Sequence, residues 1–372
     1  MSNEESEGES VSSESIRSAV QGLGTRFFPD AQLHSGVAPA FSDAWWLAAG
    51  SAGWFRLSVS EEMGGLGLGL RQLGAMFGAV GQGLLPGPLV AHAIVVPRLM
   101  GLGTPQIQEQ IELALDGKTI VSLVRGQDPP WGDGVAQVRR SGNRLFGEVA
   151  LVEFGEDADW LIVVCEGDGR PELIFVSANE PQVEIRSQPS YADDIKYGTV
   201  VFDGVELSEE NVLLSADEAG MTLNLIRAES RLMDACEIAG SMGALTRLTT
   251  EYTKNRFQFG RAIGGFQAVK HMLANTYAKT VALQVLCDEM CLNVDQRDVE
   301  IEHAGQVCLA LAARSGRKVG ETCLQLHGGI GFTAESYVHH YLKRILRLQG
   351  ARGDGAELEL EIGRKYLTSM SR

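Results

Sequence analysis

The side chains best suited to chemistry lie in two glycine-bearing stretches in the C-terminal third of the chain. The first reads Arg256-Phe257-Gln258-Phe259-Gly260-Arg261-Ala262-Ile263-Gly264-Gly265-Phe266-Gln267. An arginine here can hold a phosphate through two parallel hydrogen bonds, and Gln267 can bond the edge of a base. The second reads Gln325-Leu326-His327-Gly328-Gly329-Ile330-Gly331-Phe332. Its glycines can end a helix in a left-handed conformation and let backbone N–H groups approach an anion closely. Taken singly, each stretch also reads as a charged helix end or a simple chain reversal. A third stretch, Glu61-Glu62-Met63-Gly64-Gly65-Leu66-Gly67, lacks the lysine and the preceding strand of a phosphate loop and reads as a turn feeding a helix. Six cysteines are scattered through the chain. Cys287 and Cys291 share a helix face, but the only nearby ligand type is His303. The cysteines therefore read as small core residues, with no metal site expected.

These residues need rigid elements to position them. From 15 to 116 the apolar spacing is three and four, with helices expected over 40–53, 69–81 and from Pro105 to Leu115. From 117 to 216 the period falls towards two. Strands are expected over 119–124, 143–152, 160–164, 172–176, 183–185 and 199–202, separated by Gly, Asp, Asn and Pro clusters. That pattern suggests a compact antiparallel sandwich or barrel. From 217 to 372 the helical period returns over 221–255, 267–294, 303–326, 335–348 and 356–368, as in a bundle of long antiparallel helices. The fold class is α+β: a helical domain, a middle antiparallel β domain and a C-terminal domain resembling a four-helix bundle. In this division, residues 1–14 form a polar, disordered tail.

Composition narrows the partners. The net charge is −16 over 372 residues, which argues against a nucleic-acid or anionic-membrane partner. Five of the excess acidic residues, Glu4, Glu5, Glu7, Glu9 and Glu14, fall in the tail. The start of the chain has no basic segment or apolar run of a signal peptide. The longest apolar stretch, 84–102, is broken by Pro86, Pro88, His92, Pro97 and Arg98 and is too interrupted to span a membrane. A cytoplasmic protein is expected.

In their order and placement, Arg256-x-x-Phe259-Gly260-x-x-Ile263-x-x-Phe266-Gln267 and Gln325-x-x-Gly328-Gly329-x-Gly331-Phe332 resemble the acyl-CoA dehydrogenase family. Glu61-Glu62-x-Gly64-Gly65-x-Gly67 and Val201-Phe202-Asp203-Gly204-Val205 are similar to its N-terminal helical domain and to the end of its β domain. The resemblance spans about residues 20–370. It implies FAD lying between subunits, the flavin ring in one subunit's β domain and the adenosine end against a neighbour. By matching position, Arg256 would pair with the pyrophosphate, and Phe259 and Gln267 would line the adenine side. Gln325, Gly328 and Gly329 would contact the ADP portion. The resemblance also implies an acyl-CoA substrate and an electron-transfer flavoprotein as electron acceptor.

The chain departs from the family where the reaction takes place. Removing the α-proton of the thioester needs a positioned carboxylate. In the family this is usually the glutamate of a Tyr-Glu-Gly-Thr segment, and here that position holds Arg352, which cannot accept a proton. Asp354 lies two residues on. The alternative family position, before Arg231-Leu232, is Ser230, with Glu229 adjacent. The flavin-facing stretches read Val124-Arg125-Gly126-Gln127-Asp128-Pro129-Pro130-Trp131 and Val149-Ala150-Leu151-Val152-Glu153-Phe154, and most of the small hydroxyl and amide groups are gone. Trp131 is a candidate replacement contact or a loop-packing residue. The expected role is therefore the non-catalytic subunit of a heterotetramer, of the kind found in actinobacterial branches acting on steroid side-chain CoA esters. A catalytic homologue would supply the base. The alternatives are a self-sufficient homotetramer using Glu229 or Asp354, and a scaffold subunit that binds no flavin.

Overall fold

A computed structural model describes residues 11–29, 38–126, 137–190 and 195–370. Most of the proposed tail and Trp131 lie outside the described residues. The first helix, α1 (Ser13–Phe27), begins inside the segment expected as tail, because the Ser12 hydroxyl accepts the Ser15 N–H and caps it. Next come α2 (Asp43–Ser51), capped by Ser42, α3 (Leu70–Gly83), and α4 (Pro105–Leu115), capped by Thr104 with proline in its first turn. The open N–H groups of α3 are capped from far away: Asp295 accepts from Leu70 at 2.8 Å and from Arg71 at 3.0 Å.

The middle region is one sheet of β1 (Val121–Val124), β2 (Val138–Ser141), β3 (Arg144–Glu153), β4 (Trp160–Gly167), β5 (Arg170–Ser177), β6 (Val183–Gln188), β7 (Tyr197–Glu206) and β8 (Val212–Ser215). The strand order is β6-β7-β3-β2-β4-β5-β8, and β1 also pairs with β4. The β domain is antiparallel in most of its pairings, as expected, with two exceptions. Both β1 and β2 run parallel to β4, Val121 opposite Trp160 and Arg139 opposite Glu166. They occupy successive stretches of the same edge, so the chain returns to β4 in the direction in which it left. The sequence reading also missed β2 and β8. Val138-Arg139-Arg140-Ser141 carries too much charge to show an apolar alternation, and Val212–Ser215 is too short.

The C-terminal region packs α5 (Ala216–Asn255), α6 (Gln267–Asp295), α7 (Ile301–His327), α8 (Val338–Ala351) and α9 (Gly355–Met370). Helix α5 is buried on most of its surface through the middle, from Ala228 to Ala239. It approaches α3 so closely that a Cβ at Gly240 would lie 1.8 Å from the Gly78 carbonyl. Three carboxylates sit in this buried segment, and each meets an arginine from another element. Glu229 pairs with Arg98, Asp234 with Arg352 at 2.7 Å, and Glu237 with Arg344 at 2.7 Å. None of the described helices is long and apolar enough to cross a membrane.

The helical and β regions are tied at His92, which is fully buried. Its Nδ1–H donates to the Ala114 carbonyl at 3.0 Å, and its Nε2 accepts the Val121 N–H at 2.9 Å. The Val121 bond needs the neutral ring, and burial pushes its pKa down to about 3 despite the Ala114 bond. The folded value lies below the unfolded 6.5. This contribution to stability is therefore complete above pH 6.5 and is lost as pH falls towards 3. In denaturant titrations, His92→Gln is expected to cost about 1–3 kcal/mol at neutral pH and to flatten the acid limb of the wild-type stability profile.

Candidate functional site

The segment between α5 and α6 folds as a two-residue hairpin of β9 (Phe257–Gln258) and β10 (Arg261–Ala262), with Gln258 opposite Arg261. Its two turn residues, Phe259 and Gly260, have φ of +51° and +82°. Both central residues at positive φ make the tight hairpin turn that matches strand twist, and a phenylalanine is an unfavourable choice there. The Phe259 ring is 91% exposed. A strained backbone presenting a large apolar ring to solvent points to a role outside this chain's own core. Arg256 caps α5, its carbonyl accepting the Ile263 N–H at 2.8 Å, and its side chain is exposed. Gln267 is the first residue of α6 and is also exposed.

The second stretch comes to the same place. Tyr252, one turn before Arg256, stacks on His327 with ring centroids 4.3 Å apart and donates its hydroxyl to the His327 carbonyl at 3.3 Å. Gly328 then ends α7 with φ +61°. No atom lies within 4 Å of where a Cβ would sit at Gly328 or Gly329. Gln325, Gly328 and Gly329 are all exposed. A cavity of about 760 Å³ lies beside the junction, lined in part by Tyr252, Asn255, His327 and Ile330. The structure thus brings the end of α5, the hairpin and the end of α7 together on one open face. An exposed guanidinium, an open glycine backbone and an aromatic ring there suit the phosphates and base of a dinucleotide.

A second cavity, about 670 Å³, lies between the sheet and α8. Its walls include Arg125, Leu151, Glu153, Gln188, Arg347 and Arg352. Arg352, which the resemblance sets at the position of the family's base, lines this wall. It follows α8, its side chain paired with Asp234 and its carbonyl accepting from Arg231 at 3.0 Å. Glu229 is buried against Arg98 and does not line the cavity. Asp354 does not line it either: its carboxylate accepts the Ala356 N–H at 2.7 Å at the start of α9.

The β3 wall offers little to a flavin ring. The strand bulges between Val149 and Val152, and Leu151 has φ +59°. The Leu151 N–H is already taken by the Gln188 side chain at 3.0 Å. Glu153 is bound to Arg347 at 2.9 Å. Burial pushes the Glu153 carboxyl up, but Arg347, Arg352, Arg344 and Arg125 outweigh it and hold it below its ordinary value. The residues present therefore fit the adenosine end of FAD on the open face better than its ring in this cavity.

The sequence reading missed Asp234, Arg347 and Arg98. A signal was present for the first: Asp234 interrupts the apolar run Leu232-Met233-Asp234-Ala235-Cys236, and a charge in such a run needs a buried partner. Burial pushes the Asp234 carboxyl up to about 7 against the pull of Arg352. With its folded value above the ordinary 3.8, its contribution to stability is full below that pH and declines as pH rises through about 7. Arg352→Ala removes the counter-ion and is expected to cost about 3–5 kcal/mol at pH 8, where the carboxylate is charged. Near pH 5 the loss should be smaller, because Asp234 takes up a proton. Arg352→Glu, which restores the family's residue, should destabilise at least as much and create no base. Urea midpoints at the two pH values and an acyl-CoA oxidation assay check both statements.

Comparison with known proteins identifies the family and the fold. The family models for the acyl-CoA dehydrogenase N-terminal and C-terminal domains match residues 12–112 and 225–367. Acyl-CoA dehydrogenase FadE27 of Mycobacterium tuberculosis is 26% identical over 338 residues, covering 86% of this chain and 87% of the relative. The crystal structure of the ChsE4–ChsE5 complex from Mycobacterium tuberculosis shares the fold with a TM-score of 0.83 at 23% identity, over 95% of this chain and 97% of that one. The steroid acyl-CoA dehydrogenase Tcur3481–Tcur3483 shares it with a TM-score of 0.79 at 22% identity, over 97% and 100%. Members of the matched family are FAD-binding oxidoreductases. With both terminal domains matched and the helix–sheet–helix order in place, this chain belongs to the acyl-CoA dehydrogenase family.

Proposed function

We propose that this chain is the non-catalytic subunit of a heteromeric acyl-CoA dehydrogenase. In this reading it clasps the adenosine diphosphate end of an FAD whose ring is seated in a catalytic homologue. FAD bound there supplies the hydride acceptor for α,β-dehydrogenation of the acyl-CoA. Arg256 binds the pyrophosphate, Gln325 and the Gly328–Gly329 backbone cradle it, and Phe259 and Gln267 border the adenine. The partner supplies the base, because Arg352 stands in that position here and the carboxylates of Glu229, Asp234 and Glu237 are each bound to an arginine. The observation that carries the reading is the contrast between the two ends of the site: exposed glycines and an exposed arginine at one, and an arginine paired with Asp234 at the other. The likeness to the ChsE4–ChsE5 complex supports a heteromer, and the steroid description of Tcur3481–Tcur3483 supports a bulky, sterol-derived acyl group. An electron-transfer flavoprotein would reoxidise the complex, in the cytoplasm.

Two substitutions test the cradle in the co-expressed complex. Arg256→Ala should weaken flavin retention roughly ten- to a hundredfold, the equivalent of about 1.5–3 kcal/mol for a charged hydrogen bond. Unchanged flavin content would favour a scaffold that binds no flavin. Phe259→Asn suits the positive-φ turn better than phenylalanine. It should therefore leave the melting temperature equal or higher while lowering flavin content, which separates cofactor contact from turn geometry.

A further inference from the structure

Four of the six cysteines gather in the helical core, away from the cradle and the 670 Å³ cavity. Cys236 of α5 lies between Cys287 and Cys291 of α6, and Cys287 also reaches Cys308 of α7. The sulfurs of Cys236 and Cys291 are 4.0 Å apart. Both face the same point on α3, where a Cβ at Gly74 would meet each at 3.1 Å. This is more than core packing, because Cys236, Cys287 and Cys291 line a separate cavity of about 260 Å³. Arg17, Arg71 and Asp288 form part of its wall, and Arg71 is held by Asp288 at 2.8 Å. Such a space admits a molecule the size of water. Among the described residues, no group of three or more Cys, His, Asp or Glu is arranged to hold a metal ion. The close sulfur pair therefore reads better as redox chemistry.

We propose that Cys236 and Cys291 form a reversible intramolecular disulfide on exposure to hydrogen peroxide, with Cys236 as the attacking sulfur. The Cys236 thiolate attacks one peroxide oxygen. The S–O bond forms, the O–O bond breaks, and the hydroxide released takes up a proton to leave as water. Sulfur is oxidised by two electrons to the sulfenic acid, and the peroxide is reduced. The Cys291 sulfur then attacks the sulfenic sulfur, forming S–S and releasing a second water, its own proton completing the balance. The sulfurs must close from 4.0 Å to about 2.05 Å. Selectivity follows from the surroundings. Hydrogen bonds from Cys287 and Cys291, with the nearby Arg17 charge, hold the Cys236 thiol below its ordinary value. Burial pushes Cys165 and Cys323 up to about 12 and about 11, so those two stay as thiols. The bond would brace α5 against α6, the helices that flank the hairpin bearing Phe259.

The test uses the full-length chain, reduced and then treated with hydrogen peroxide, with thiols alkylated after denaturation and peptides mapped by mass. The expected result is a fall from six alkylatable thiols to four, one linked peptide pair containing Cys236 and Cys291, and full recovery with dithiothreitol. In Cys291→Ser that linked pair should vanish, and dimedone should capture a sulfenic acid at Cys236. Six remaining thiols in the treated wild type, or a link joining any other pair of cysteines, would overturn the proposal. That readout stands even if the variant fails to fold.

Discussion

A carboxylate taken out of water needs a counter-ion, and α5 carries three of them in its buried middle. Glu229 is answered by Arg98 of the turn Val96–Leu99, Glu237 by Arg344 of α8, and Asp234 by Arg352 just beyond α8. Removing either partner of such a pair leaves an uncompensated charge, at a cost of about 3–5 kcal/mol. The pairs therefore pin the N-terminal helices and the end of α8 to one central helix. They also commit the three buried carboxylates of α5 to structural work. Arg344 extends the bracing by donating to the Leu84 and Leu85 carbonyls, each at 3.3 Å.

The asymmetry of the site follows from that commitment. Arg352, at the position that the resemblance gives to the base, is half of an ion pair whose loss would destabilise the core. Where a flavin edge would look for backbone donors, the Leu151 N–H is occupied and Glu153 is locked to Arg347. The far end keeps Arg256, Phe259, Gln267, Gln325, Gly328 and Gly329 exposed, the groups that the proposal sets against the pyrophosphate and the base. A turn that holds phenylalanine at φ +51° with its ring in solvent is costly for an isolated chain. It makes sense where that ring meets something beyond this subunit.

Much of this was legible in the sequence because it is local. The helical and strand periods located most elements within a few residues, and the Arg256–Gln267 and Gln325–Phe332 stretches carried the resemblance from which the cradle is proposed. The rest depends on contacts that no local pattern records. Arg98 and Glu229 are 131 positions apart, and Arg344 and Glu237 are 107 apart. Nothing near Glu229 announces that it is already paired. The parallel pairing of β1 and β2 on β4 depends on the direction in which the chain returns, and the bulge in β3 depends on its pairing with β7. Cys287 and Cys291 looked like spaced core residues because Cys236, which turns them into a cluster, lies on another helix.

The central claim is that this chain completes a cofactor site it does not own, and flavin stoichiometry tests it most directly. The chain would be purified together with a homologue that keeps the base glutamate. FAD released on denaturation would be counted against both chains, and the chain purified alone would be measured beside it. The account predicts one FAD for every two chains in the complex and a colourless protein alone. One FAD per chain, or a yellow protein that oxidises an acyl-CoA by itself, would contradict it.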